Sequence, residues 1–143
     1  MKKKFVDFYF KVASDAADLS HARRLKVGAV IVKGDSILSY GYNGTPDGFD
    51  NNCEEEFDDG FGGIKLHTKP EVIHAEINAI AKAAKQGYSC QDAALFITHS
   101  PCIECAKLIC QSGISVVYYS LSYRSTDGLE LLTKKGIETI RYD

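Results

Sequence analysis

Two short segments lying far apart in the chain, His74-Ala75-Glu76 and Pro101-Cys102-Ile103-Glu104-Cys105, carry the parts of one site. One imidazole and two thiols hold a Zn²⁺ ion through three protein ligands and leave the fourth tetrahedral position open. A closed structural site would need a fourth protein ligand. Glu76 is not needed for coordination, which points to a role in moving protons. Any fold for this chain has to bring the two segments together.

Local patterning suggests how. Cys102 and Cys105 are spaced to share one face of a helix, with Pro101 at its first position and Gly113 at its end. Thiolates are favoured in a first turn, where unpaired N–H groups and the positive dipole end gather. His74 and Glu76 fall at the start of a second predicted helix, residues 72–86. Residues two apart on an ideal helix point about 200° away from each other. Both can approach one point only from the very start of the helix. A buried strand at 94–98 separates the helices, and open α/β sheets place sites at the carboxyl ends of such strands.

The rest of the chain supplies layers for that sheet. Phe5, Phe8, Tyr9, Val12, Ala16 and Leu19 recur at helical spacing. Residues 27–32 and 37–41 read as a hairpin about the turn Lys33-Gly34-Asp35. Residues 42–70, rich in glycine and acids, read as a long irregular segment. Beyond the cysteines come a strand at 116–119, a helix at 126–135 and a last strand at 137–141. This alternation implies an α/β fold with right-handed crossovers and partly parallel pairing. No repeat or linker divides the chain, so residues 1–143 are expected to form one domain.

A formal charge of −2 offers no footprint for long nucleic acids, which call for a basic face. A small anion remains possible through a local pair of arginines. Lys2, Lys3 and Lys4 look like the start of an export signal, but Asp7, Lys11, Asp15 and Asp18 interrupt the stretch where its apolar core would lie. No apolar run approaches membrane-spanning length. The expectation is a cytosolic protein, of a cell or of a virus-infected host, with no membrane partner. Five cysteines, two of them at metal-type spacing, argue against a disulfide framework; Cys90 and Cys110 read as packing residues. Taken alone, Cys-x-x-Cys also fits a redox pair or half of a structural zinc site in a binding module. Glu76 weighs against the structural site, which has no use for it.

With these residues in view, the sequence resembles the cytidine/deoxycytidylate deaminase superfamily, for which H-x-E with P-C-x-x-C is the known signature. Within it, the chain is similar to the deoxycytidylate (dCMP) deaminases of phages, viruses and cells. The matches are residues 26–32, Gly41-Tyr42-Asn43-Gly44-Thr45-Pro46, residues 73–80 and residues 100–105. The resemblance implies a three-layer α/β/α sandwich around a five-stranded mixed sheet, and hydrolysis of dCMP to dUMP and ammonia, which supplies thymidylate synthesis. It also implies a homo-oligomer, commonly a hexamer, activated by dCTP and inhibited by dTTP. Rival deaminases act on free nucleosides or bases, or on tRNA adenosine; the Tyr-Asn-Gly segment and the acidic balance weigh against them.

In this reading zinc is held by His74, Cys102 and Cys105, and Glu76 protonates N3 of the cytosine and relays a proton to the leaving amine. The Ala75 N–H contacts the base carbonyl, Asn43 the 3′-hydroxyl, and Tyr123 and Arg124 the 5′-phosphate. A regulatory triphosphate, with Mg²⁺ neutralising its charge, is placed at Arg23, Arg24 and Lys26 beside Gly41, Tyr42, Asn43 and Gly44. Cys53 with His21 or His67 offers a second zinc site, as in some viral relatives. His99 has no role beyond shaping the pocket floor.

Overall fold

The computed structural model describes residues 1–142. Its main sheet has the order β2-β1-β5-β6-β7, built from β1 (Gly28–Lys33), β2 (Ser36–Tyr42), β5 (Ala94–His99), β6 (Val116–Leu121) and β7 (Glu138–Arg141). β1 runs antiparallel to β2 and β5, whereas β5, β6 and β7 are mutually parallel. The sheet is therefore mixed, as the alternation of elements implies. Helix α1 (Lys3–Ala17) covers one face; α2 (Ala75–Lys85), α3 (Ile103–Ser112) and α4 (Asp127–Lys135) cover the other. This is the three-layer α/β/α sandwich expected.

Strand alternation sorts the core into two clusters. Val30, Val32 and Phe96 face α1, where Tyr9 and Phe10 meet the Phe96 ring at centroid distances of 5.1 and 5.5 Å. Such aromatic pairs add roughly 0.5–1.5 kcal/mol beyond their buried area. Ala29, Ile31, Leu95, Ile97 and Val117 face the other way, against the alanines of α2, Ile109 of α3 and Leu132 of α4. Ala75, Ala79 and Ala83 are fully buried. Their small side chains let α2 lie close to the sheet. Closest is Gly41, where a Cβ would overlap the Ala75 carbonyl oxygen.

Two expectations are corrected. The segment 42–70 is not wholly irregular: β3 (Glu54–Asp58) and β4 (Ile64–Thr68) form a separate antiparallel ribbon. Helix α2 starts at Ala75, not at residue 72, because Ile73 is claimed by a β-bridge to Gly44. Its N–H donates to the Gly44 carbonyl at 2.8 Å, and the Gly44 N–H returns a bond of 3.1 Å. This bridge takes Ile73 out of the helix, and His74, in extended conformation, caps its start. Among the described residues no helix is long and apolar enough to cross a membrane.

Candidate active site

The amino ends of α2 and α3 converge at the carboxyl end of β5. His74 is the N-cap of α2, with ψ at 155°, and Cys102 is the N-cap of α3, with ψ at 171°. Pro101 thus precedes the cap and is not the first helical residue; it still fixes the entry to the helix. From the two caps, His74 Nδ1 stands 3.2 Å from Cys105 Sγ and 3.5 Å from Cys102 Sγ. The three ligand atoms all lie within 4.8 Å of one another.

These distances suit zinc. Tetrahedral bonds of ~2.3 Å to sulfur and ~2.05 Å to nitrogen put N and S about 3.5 Å apart. An imidazole with two soft thiolates is also the donor set zinc favours. Without the metal the two thiols share one negative charge. Cys102 is drawn down to about 3 by hydrogen bonds from the Cys105 thiol and from His74, while Cys105 is pushed up. His74 is raised, first by its bond to Cys102.

Glu76, one residue into α2, is 3 % exposed. Burial pushes its carboxyl up to about 7, against the pull of its own backbone N–H and the His74 charge. A carboxyl poised near neutrality beside three metal-type ligands suits reversible proton transfer. Ala75, between ligand and acid, is fully buried; as the first helical residue its N–H has no acceptor within the helix.

His74, Ala75, Glu76 and Cys102 line one cleft of about 500 Å³, whose wall also holds Arg24, Asn43, Glu54, His99, Tyr123 and Arg124. The loop carrying Tyr123 and Arg124 is tied to β5 by the Tyr123 N–H, which donates to Ser100 Oγ at 2.6 Å. Asn43 spends its amide on the backbone: Oδ1 accepts from the Val27 N–H at 2.8 Å and Nδ2 donates to the Leu25 carbonyl at 2.7 Å. It shapes the wall as much as it lines it.

Three residues placed elsewhere by sequence reasoning shift role. Arg24 lines this cleft, with Nη1 donating to Thr68 Oγ1 at 3.2 Å. Arg23 is occupied by an ion pair to Glu56 at 2.7 Å. Gly41 packs on α2. Arg23, Arg24 and Lys26 are all exposed, and the side chains of Arg23 and Arg24 are hydrogen-bonded to Glu56 and Thr68. A second zinc site is not met either. Among the described residues no other group of three such ligands converges. Cys53 is buried with Sγ 3.5 Å from the Asn51 carbonyl, and His67 lies against the Phe57 ring.

Sequence reasoning missed Glu54 and Gly128. Glu54 reads as one acid in the run Glu54-Glu55-Glu56, yet it is 1 % exposed. Its carboxylate accepts the Arg23 N–H at 2.9 Å and the Arg24 N–H at 3.0 Å, which holds the Arg24 backbone at the cleft. The Asp59-Gly60 and Gly62-Gly63 pairs of the turn are the signals that mark its ribbon. Gly128, in the first turn of α4, touches the Pro101-Cys102 backbone.

This fold and this site define a zinc-binding nucleobase deaminase class. The sequence profile of the cytidine and deoxycytidylate deaminase zinc-binding region matches residues 3–121, and the chain belongs to that family. It is 44% identical to the dCMP deaminase from the cyanophage S-TIM5, solved in complex with dCMP and dUMP, with a TM-score of 0.89 and 99% of each chain covered. It is 40% identical over 131 residues to ComE operon protein 2 of Bacillus subtilis, covering 90% of this chain and 67% of that protein. To the deoxycytidylate deaminase of Saccharomyces cerevisiae it is 36% identical over 146 residues, covering 99% of this chain but 45% of the yeast protein.

Proposed function

We propose that this chain, as one catalytic unit over residues 1–143, hydrolyses dCMP to dUMP and ammonia in the cytosol, feeding thymidylate synthesis. The observation that carries the reading is the buried Glu76 carboxyl beside the His74, Cys102 and Cys105 triad, in a cleft that also holds two arginines. Likeness to a phage dCMP deaminase over 99% of both chains supports the choice of substrate.

Zinc bound by His74, Cys102 and Cys105 supplies Lewis acidity that brings the ionisation of water into the neutral range. Glu76 relays the two protons of the attacking water in turn, the first to N3 of the cytosine and the second to the departing amine. Its burial beside the three ligands places it to hold a proton in one step and release it in the next. The Ala75 N–H holds the base carbonyl, and the protein around Glu76 excludes bulk water. Arg124, with Tyr123 beside it, faces the 5′-phosphate, and Arg24 of the same cleft joins them. A guanidinium suits this task because its donors form a fixed fork. The remaining lone pair and N–H of Asn43 serve the 3′-hydroxyl.

Assembly as a homohexamer and regulation by dCTP and dTTP belong to the same proposal, by family resemblance. The effector site is reduced to Lys26 and the Tyr42-Asn43-Gly44 turn, with Mg²⁺ on the triphosphate. An effector shifts an equilibrium only by binding one state better. A sigmoidal dCMP saturation curve is expected, made hyperbolic by dCTP and Mg²⁺ and suppressed by dTTP; superimposable curves would remove regulation from the proposal.

The test of the reaction is ammonia release from dCMP, CMP, deoxycytidine and cytosine. Turnover should be strongest with dCMP. A preference for deoxycytidine or cytosine would move the protein to the nucleoside or base class.

A further inference from the structure

Thr98 and His99 end β5 at the cleft and take no part in the chemistry above. Thr98 Oγ1 accepts the Gly28 N–H at 3.2 Å and lies 2.9 Å from His99 Nδ1. A hydroxyl has one proton and two lone pairs. The Gly28 N–H occupies one lone pair, and among the described residues His99 Nδ1 is the one acceptor within reach of the proton. Were Nδ1 the donor instead, the hydroxyl would receive two hydrogen bonds and its own proton would have no partner in a half-buried place. An unmade bond of this kind is costly. The Gly28–Thr98–His99 chain thus favours Nδ1 as the acceptor, with the proton of the neutral ring on Nε2. Burial also disfavours the charged ring. Nε2 has no hydrogen-bond partner among the described residues, and the ring forms part of the wall shared with Glu76 and Arg124.

We propose that Thr98 is a positioning residue that locks His99 in the Nε2–H tautomer, so that His99 presents a fixed, uncharged N–H donor to an acceptor oxygen of the bound nucleotide. Two arginines already bring positive charge to the cleft. A neutral donor adds direction without adding a further cation near the metal ligands. The tautomer follows from the Gly28–Thr98–His99 chain alone; the nucleotide contact rests on the reading of the cleft as a pyrimidine nucleotide site. Phosphate, ribose and pyrimidine ring all offer acceptor oxygens, so the source is settled by comparing substrates.

Nitrogen-15 NMR of the zinc-loaded protein at neutral pH reads the tautomer directly, without turnover. Wild type and Thr98→Ser should show the proton on Nε2, and Thr98→Val should show a mixture or the Nδ1–H form. Kinetics on dCMP and deoxycytidine reads the contact. His99→Phe, which keeps bulk but has no donor, should raise KM about tenfold, as for one hydrogen bond left unmade. His99→Gln, whose amide can replace the Nε2 donor, should recover most of that loss. A rise for dCMP alone assigns the acceptor to the phosphate; a rise for both assigns it to the base or sugar. An Nδ1–H ring in wild type would overturn the lock. Unchanged KM for both substrates in His99→Phe would overturn the contact, and absence of any deaminase activity would leave the NMR result standing.

Discussion

Gly128 packs its Cα against the Pro101 carbonyl so closely that a Cβ would overlap it, and that Cβ would also stand 3.0 Å from the Cys102 carbonyl oxygen. Helix α4 thereby holds the turn that presents Cys102. Backbone atoms cannot swing aside as a side-chain end can. Gly128→Ala should therefore destabilise the fold by roughly 1–3 kcal/mol, the usual range for overpacking, and should weaken zinc retention as the Cys102 turn is displaced. Thermal denaturation and elemental analysis after dialysis against a mild chelator check both effects.

Glu76 makes stability depend on pH in the metal-free protein. Its folded pKa of about 7 stands above the ordinary 4.5, so between those values the folded state holds more protons than the unfolded one. Stability is then lost as pH rises through that window and levels off above it. The full effect is roughly 3 kcal/mol. Metal-free Glu76→Gln should be the more stable protein at pH 8, with the difference closing near pH 4.5. Urea titrations at the two pH values measure this, and a pH-independent difference would contradict it.

Arg124→Ala and Arg24→Ala should each raise KM for dCMP by about 10- to 100-fold, as expected for charge-assisted bonds to phosphate. Deoxycytidine, which lacks the phosphate, should be nearly unaffected. Equal effects on the two substrates would move the phosphate elsewhere.

Glu54→Ala leaves the Arg23 and Arg24 N–H groups without their shared acceptor. About 1–3 kcal/mol of stability should be lost for each unsatisfied group. Because Arg24 is released from the cleft wall, KM for dCMP should rise more than KM for deoxycytidine.

Much of this was legible in the sequence, because the signals were local. Residues 94–98 read as a buried strand and lie within β5; α3 starts at Ile103, two residues after the Pro101 start expected. The meeting of His74 with Cys102 and Cys105 followed from chemistry, since three ligands have to share one metal. What was not legible depended on distant partners. The start of α2 is set by the Gly44–Ile73 bridge, and nothing near Ile73 announces it. Glu54 is buried because Arg23 and Arg24 turn their N–H groups toward it, whereas three acids in a row read as a solvated face. Arg24 looked like one of three clustered cations until Glu56 took Arg23 and the cleft took Arg24.

The most direct measurement is zinc content together with dCMP turnover in Glu76→Gln. The amide is nearly isosteric with the acid but cannot relay a proton. One zinc per chain should be retained, while ammonia release falls by at least ~10²-fold, the lower end of what general acid–base catalysis supplies. Turnover of dCMP at the wild-type rate by the zinc-loaded variant would contradict the assignment of Glu76 as the group that moves the proton.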